Sequence, residues 1–137
     1  MAVYIVFGKD NIMVYIGSFK DISSDYDEIW LIIRSLKQIP QVNTSVFHVP
    51  QLSPSNELFK SYLSWRNQGL WNKDTFETYY KPRFLKEIEE EEPQMYLNLL
   101  IEKAKTKNIL LVCYCSDESI CHRSLVYSLI PSALRER

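Results

Sequence analysis

The sequence predicts one α/β domain, residues 1–137, built on a mixed, partly parallel sheet covered by helices. Three observations carry that expectation. Residues 108–115, Asn-Ile-Leu-Leu-Val-Cys-Tyr-Cys, are apolar on both faces, as a central strand with helices on both sides requires. Segments of helical period precede and follow this run. A chain of 137 residues is long enough to bury roughly two-thirds of its unfolded surface in a single core.

The elements follow in order. Residues 3–7 and 12–19 are β-rich, and Gly8-Lys-Asp-Asn11 between them has a turn composition, which predicts an opening hairpin. From Ser24 the period changes. Tyr26, Ile29, Trp30, Ile33, Leu36 and Lys37 recur at helical spacing, with Ser23 or Ser24 as cap, and the predicted helix stops near Pro40, which disfavours helical geometry at Ile39. Residues 44–49 predict another strand, closed by Pro50, and Pro54 suits an early helical position after Ser53. Residues 56–68 predict a helix with an apolar face of Leu58, Phe59, Tyr62, Leu63 and Trp65, ended by Gly69. Asn72 caps a predicted helix over residues 73–92 that runs through Pro82. Met95, Leu97, Leu99, Leu100 and Ala104 predict one more before the apolar run, and residues 125–130 form a short amphipathic stretch after it. Repeats, low-complexity linkers and a second domain are not visible.

Sixteen basic and seventeen acidic residues leave a net charge of -1, so nucleic acid or anionic membrane would have to be met by a local patch. The N-terminus lacks the charged region of a secretory signal, and its apolar run stops at Lys9, far short of a membrane span. With three cysteines in no disulfide pattern, the expectation is a cytoplasmic protein with reduced thiols and no membrane partner. The acidic run over residues 87–92 reads as a solvated helix end, with a docking surface as the alternative. Trp65, Trp71, Phe76, Tyr79, Tyr80 and Phe84 read as core; the alternative is that they stack bases while the interleaved Arg66, Lys73, Lys81 and Arg83 contact phosphate, with Trp71 as the ring left exposed beside Gly69.

Chemistry concentrates in residues 115–124, Cys-Ser-Asp-Glu-Ser-Ile-Cys-His-Arg-Ser, a turn that ends a buried strand and opens a helix. The first reading is anion recognition by Cys115, Ser116, Asp117, Cys121, His122 and Arg123. Arg123 dominates, because a charge-assisted hydrogen bond is worth roughly 1.5–3 kcal/mol against about 0.3–1 for a helix terminus. Against it stands a structural pairing of Arg123 with Asp117 or Glu118. The second reading is thiol chemistry, with Cys121 and His122 as candidate catalytic groups. Seven residues separate Cys115 from Arg123, where a cysteine phosphatase loop has five, which argues against phosphatase chemistry. Cys121 is expected to be the most reactive thiol, Cys115 the next and Cys113, a buried filler, the last. The third reading is a metal held by Cys113, Cys115, Cys121 and His122, whose residue types suit zinc. Strand spacing of Cys113 and Cys115, about 6.6–6.8 Å between Cα atoms, and divergent helical directions at residues 121 and 122 argue against it, so no metal and no cofactor are expected. His48 is read as a hydrogen-bonded structural residue, with reach into the same crevice as the alternative.

The segment Ile-Leu-Leu-Val-Cys-Tyr-Cys-Ser-Asp-Glu-Ser-Ile-Cys-His-Arg-Ser-Leu-Val over residues 109–126 resembles the C-terminal motif of DUF488, a prokaryotic and phage family of unknown function. That motif ends an apolar strand in Cys-aromatic-Glu and opens a helix with Cys-His-Arg; Cys115 stands where the family has Glu. Trp65-Arg-Asn-Gln-Gly, Tyr79-Tyr80 and Phe84-Leu85 are similar to the family's Trp-containing segment and the helix after it, so the resemblance covers residues 44–130. It implies a compact α/β fold with a ligand crevice at the Cys-His-Arg turn. The function expected is binding of a phosphate-bearing ligand, a nucleotide or nucleic acid. The alternative is a non-enzymatic module, such as a phage effector or inhibitor, that docks on a protein partner.

Overall fold

The structure is a computed structural model that describes residues 13–115 and 117–135. The predicted strand at residues 3–7 and its turn lie outside the described residues. Four strands, β1 (Val14–Gly17), β2 (Glu28–Leu31), β3 (Ser45–His48) and β4 (Ile109–Val112), form one sheet in the order β1-β4-β2-β3. All three pairings among the described strands are parallel. β4 is central and all four of its residues are buried, as its two-sided apolar run demanded.

The predicted helix from Ser24 to Pro40 is replaced by β2 and an irregular stretch up to residue 44. Ile29-Trp-Leu-Ile-Ile33 is apolar at every position, and such a run satisfies a helical template by accident. All four residues of β2 are buried, which a strand between two neighbours achieves and a half-solvated helix does not.

The residues 56–68 prediction is met by α1 (Asn56–Asn67). Ser55 caps it by accepting from Leu58 N at 3.1 Å, so Pro54 precedes the helix rather than opening it. Gly69 ends it at φ +72°, with Leu70 N donating to Trp65 O and Gly69 N to Arg66 O, a Schellman turn that needs the missing Cβ. Asn72 caps α2 (Lys73–Thr75) as expected, accepting from Thr75 N. A π turn, Phe76–Tyr80, joins it to α3 (Lys81–Glu87). That wide turn lies just ahead of Pro82, which cannot donate to residue 78. Helix does not continue to residue 92. It stops at Glu87, whose carboxylate accepts from Ser55 N and Oγ at 2.9 and 2.5 Å, and α4 (Glu91–Ala104) starts anew with Pro93 in its first turn. The other glutamates of the acidic run are exposed, as a solvated helix end should be.

α5 (His122–Ser128) closes the described helices. Side chains alternate across the sheet. Val14, Trp30, Ile109 and Leu111 face Leu58, Phe84, Leu100 and Val126 of the helices. Ile29, Leu31, Leu110 and Val112 face Phe19, Tyr26, Leu36 and Val42, so among the described residues helices cover one face and loop segments the other. Of the aromatic cluster, Phe76, Tyr80 and Phe84 are core, Trp65 and Trp71 are half-buried, and Tyr79 is exposed. No helix among the described residues is long and apolar enough to cross a membrane.

Candidate functional site

β2 and β4 are neighbours and end in step, Leu31 beside Val112. Ile32 N donates to Val112 O at 3.0 Å as the last rung. Beyond it the two chains separate, and a cavity of about 900 Å³ opens at the carboxyl ends of the strands, where open α/β sheets take their ligands. Arg34, Lys37 and Arg66 line it, with Phe59, Tyr62 and Trp71 as an aromatic wall. Tyr62 and Trp71 meet edge to face, ring centroids 4.8 Å apart. Arg34 Nε is buried with no hydrogen-bond partner, and Lys37 Nζ lies 5.7 Å from the centre of the Tyr114 ring. Cys113, Cys115, Cys121 and His122 border the same space.

These last four converge, which corrects the geometric argument made from the sequence. Their ligand-type atoms all lie within 4.8 Å of one another. β4 ends at Val112, so Cys113 and Cys115 lie past the strand and are not held to its spacing. Cys121 is the N-cap of α5, with extended φ -134° and ψ 149°, so it does not diverge from His122 as two helical neighbours would. Cys113 Sγ lies 2.9 Å from Cys121 Sγ, and Cys121 Sγ lies 3.7 Å from His122 Nδ1. His122 Nε2 donates to Ile32 O at 2.6 Å, which turns Nδ1 toward the sulfurs. The Phe84 ring packs 5.8 Å from the imidazole and ties it to the helical core.

The expected order of thiol reactivity also changes. Cys121 is only 1% exposed, and burial together with the neighbouring sulfurs pushes its thiol well up. Cys113 is pushed up to about 12, first by its hydrogen bond to Cys115 and then by burial, against the contrary pull of Cys121. Cys115, half-buried, gathers hydrogen bonds from Cys113, Cys121 and His122 and is held far below the ordinary thiol range. The surroundings thus favour the thiolate at Cys115 and disfavour it at Cys121.

Arg123 is placed behind the cavity rather than on its wall. It is 2% exposed and donates through Nη1 to Gly17 O and through Nη2 to Cys115 O, at 3.0 Å for the second. It thereby joins the end of β1 to the loop after β4, a structural role through main-chain carbonyls rather than the dominant anion contact expected. Ser116 and the side chain of Glu118, and so any pairing with it, lie outside what the structure describes. Asp117 lines the cavity and caps the short 3-10 turn Glu118–Ile120, accepting from Ser119 N at 3.0 Å and Oγ at 2.6 Å, bonds that lower its carboxyl. His48 donates through Nε2 to Ile33 O at 2.9 Å, the structural part read for it.

A family model described as the active DUF488-N3 subclade (DUF488-N3a) matches residues 14–134. The chain belongs to the DUF488 family. The match begins at β1 and so extends well before residue 44, where the resemblance in the sequence began. No curated protein and no solved structure matches this DUF488 chain.

The site residues missed in the sequence are Arg34, Lys37, Phe59 and Tyr62, whereas Arg66 reads there as a cation beside the aromatic cluster. A signal existed for the first two. Reading residues 28–31 as a buried parallel strand beside β4 puts the residues that follow it at the crevice. Phe59 and Tyr62 had no such marker, because α1 shows its apolar face equally to a core or to a cavity.

Proposed function

We propose that this DUF488 domain binds a nucleotide unit, free or at an accessible position of a nucleic-acid strand, in the cavity at the carboxyl ends of β2 and β4. One observation carries the reading: three cations and an aromatic wall border the same 900 Å³ space. Phosphate oxygens suit Arg34, Lys37 and Arg66, and the buried Arg34 Nε has a donor for an acceptor to meet. A base suits Phe59, Tyr62 and Trp71, since stacking on aromatic rings is worth about 1–3 kcal/mol per base. The size falls within the range of about 300–1,000 Å³ usual for small-molecule sites. Cys115, Asp117, Cys121 and His122 border this ligand, while Arg123 supports the loop that carries them. The subclade's description as active accords with chemistry at this site.

The test is titration of the full chain with mononucleotides, a short single-stranded oligonucleotide and inorganic phosphate, followed by tryptophan fluorescence and melting temperature. Saturation by a nucleotide should quench Trp71 and raise the melting temperature by on the order of 5–10 °C at a hundredfold excess over Kd. Arg34→Ala with Lys37→Ala should weaken nucleotides at least tenfold and leave a nucleoside without phosphate unchanged; Trp71→Ala should weaken both. Tighter binding of the oligonucleotide than of any mononucleotide would identify a strand as the ligand. No response to any of the probes overturns the reading.

A further inference from the structure

We propose that Cys113, Cys115, Cys121 and His122 hold one zinc ion in a closed, four-ligand site that fixes the loop from residue 113 to 121 at the base of the cavity. The donor set, three sulfurs and one imidazole, is one of the sets that structural zinc sites use. With Zn–S near 2.3 Å and Zn–N near 2.0–2.1 Å, tetrahedral coordination sets neighbouring donors about 3.5–3.8 Å apart. The 3.7 Å between Cys121 Sγ and His122 Nδ1 already meets that spacing. The 2.9 Å between the sulfurs of Cys113 and Cys121 has to open by under about 1 Å, and the full set, within 4.8 Å, has to draw in by a similar amount. Both are side-chain rotations.

Two further observations point the same way. Metal-ligating histidines almost always donate their second ring nitrogen to a fixed acceptor, which orients the ring and sets the tautomer. His122 does so through Nε2 to Ile32 O at 2.6 Å and leaves Nδ1 to the sulfurs. The cluster is also walled off from water on its inner side: Cys113, Cys121 and His122 are buried, and Leu110, Val112 and Ile33 pack around the two thiols. Soft thiolates with one imidazole in a dry pocket select zinc over the oxygen-seeking magnesium and calcium. Because all four positions are filled by protein, the ion is a clamp on the loop, and the inference stands apart from the nucleotide reading above.

The experiment is metal analysis of the full chain purified under reducing conditions without chelator, paired with cobalt titration of the metal-stripped protein. About one zinc per chain, a melting temperature that falls on chelation and recovers with zinc, and thiolate-to-cobalt charge-transfer absorption with tetrahedral visible bands are expected. Cys115→Ser and His122→Gln should each weaken zinc by tenfold or more, and Arg34→Ala, on the cavity but outside the cluster, should retain it. Should a ligand variant fail to fold, the cobalt spectrum of the unmutated chain decides alone. Less than a tenth of a zinc per chain after growth with added zinc and no cobalt–thiolate band, or a Cys113–Cys121 disulfide in the protein as isolated under reducing conditions, would overturn the proposal. Loss of nucleotide binding with zinc intact would count only against the nucleotide reading.

Discussion

The two ends of the β2–β4 pair are both rich in polar side chains, and they differ in where those side chains find partners. At the amino end Glu28 is 2% exposed and accepts from Trp30 Nε1 at 2.9 Å, Lys103 Nζ at 2.9 Å and Lys107 Nζ at 3.0 Å. Beside it Asn108 and Asp27 clasp each other, Asp27 N donating to Asn108 Oδ1 and Asn108 N to Asp27 Oδ2. At the carboxyl end three sulfurs, an imidazole and the Arg34 guanidinium gather around an open space. A buried charge answered on every side from within the chain stabilises the fold. Donors that converge on a cavity are arranged for something that enters it.

The comparison breaks or sharpens by measurement, and the largest effect belongs to the thiols. In the metal-free folded chain Cys115 should react with a thiol reagent faster than Cys113 and Cys121 by orders of magnitude, since both of those are about 1% exposed. Its rate should change little across neutral and mildly alkaline pH, because hydrogen bonds from Cys113 and Cys121 hold it as thiolate. Mass spectrometry of the labelled peptides reads this, and Cys121 reacting first would mean that the carboxyl end is more open than described.

Next comes Glu28→Ala, which strips Trp30 Nε1 and two lysines of their acceptor and should cost about 2–3 kcal/mol in urea denaturation, the lysines recovering part of the loss by reaching water. A cost below about 0.5 kcal/mol would remove the amino end as a stabilising cluster. The same residue sets a pH signature. Burial raises the Glu28 carboxyl, but hydrogen bonds from Lys103, Trp30 and Lys107 outweigh it and leave the group below its ordinary 4.5. A carboxylate depressed in the folded state contributes stability above its unfolded value and loses it as pH falls through the folded one. The unmutated chain should therefore lose stability below about pH 4.5 more steeply than Glu28→Gln, and parallel curves would contradict the cluster's charge. The smallest effect is Lys37→Ala. Exposed on the cavity rim, Lys37 should change stability by less than about 0.5 kcal/mol while contributing to anion binding.

The sequence made some of this readable and hid the rest for identifiable reasons. β4 and α1 were legible because one is apolar at every position and the other ends at a glycine with positive φ. β2 was hidden because a strand buried on both faces offers no alternation, and Ile29, Trp30 and Ile33 fit a helix as well as they fit a sheet. The position of the Cys-His-Arg turn was legible, but not its geometry. Convergence of the thiols depends on a strand that stops at Val112 and on an extended backbone at Cys121, neither of which side-chain identity reveals. Two partners of Arg123, Gly17 O and Cys115 O, are main-chain carbonyls, and carbonyls leave no trace in a sequence.

The position of β4 governs the order in which this chain assembles. β1 and β2 do not pair with each other; each pairs with β4, which lies between them and is the last of the described strands in sequence. Asp27 meets Asn108 across a separation of 81 residues, so the ladder closes only after the chain has been made through β4. On the ribosome, the nascent segment ahead of Ile109 carries two apolar strands without a common neighbour, a condition that invites pairing with other chains. Insertion of the last strand into that gap completes both faces of the sheet in one event, and such distant closure makes folding slow for a domain of this size.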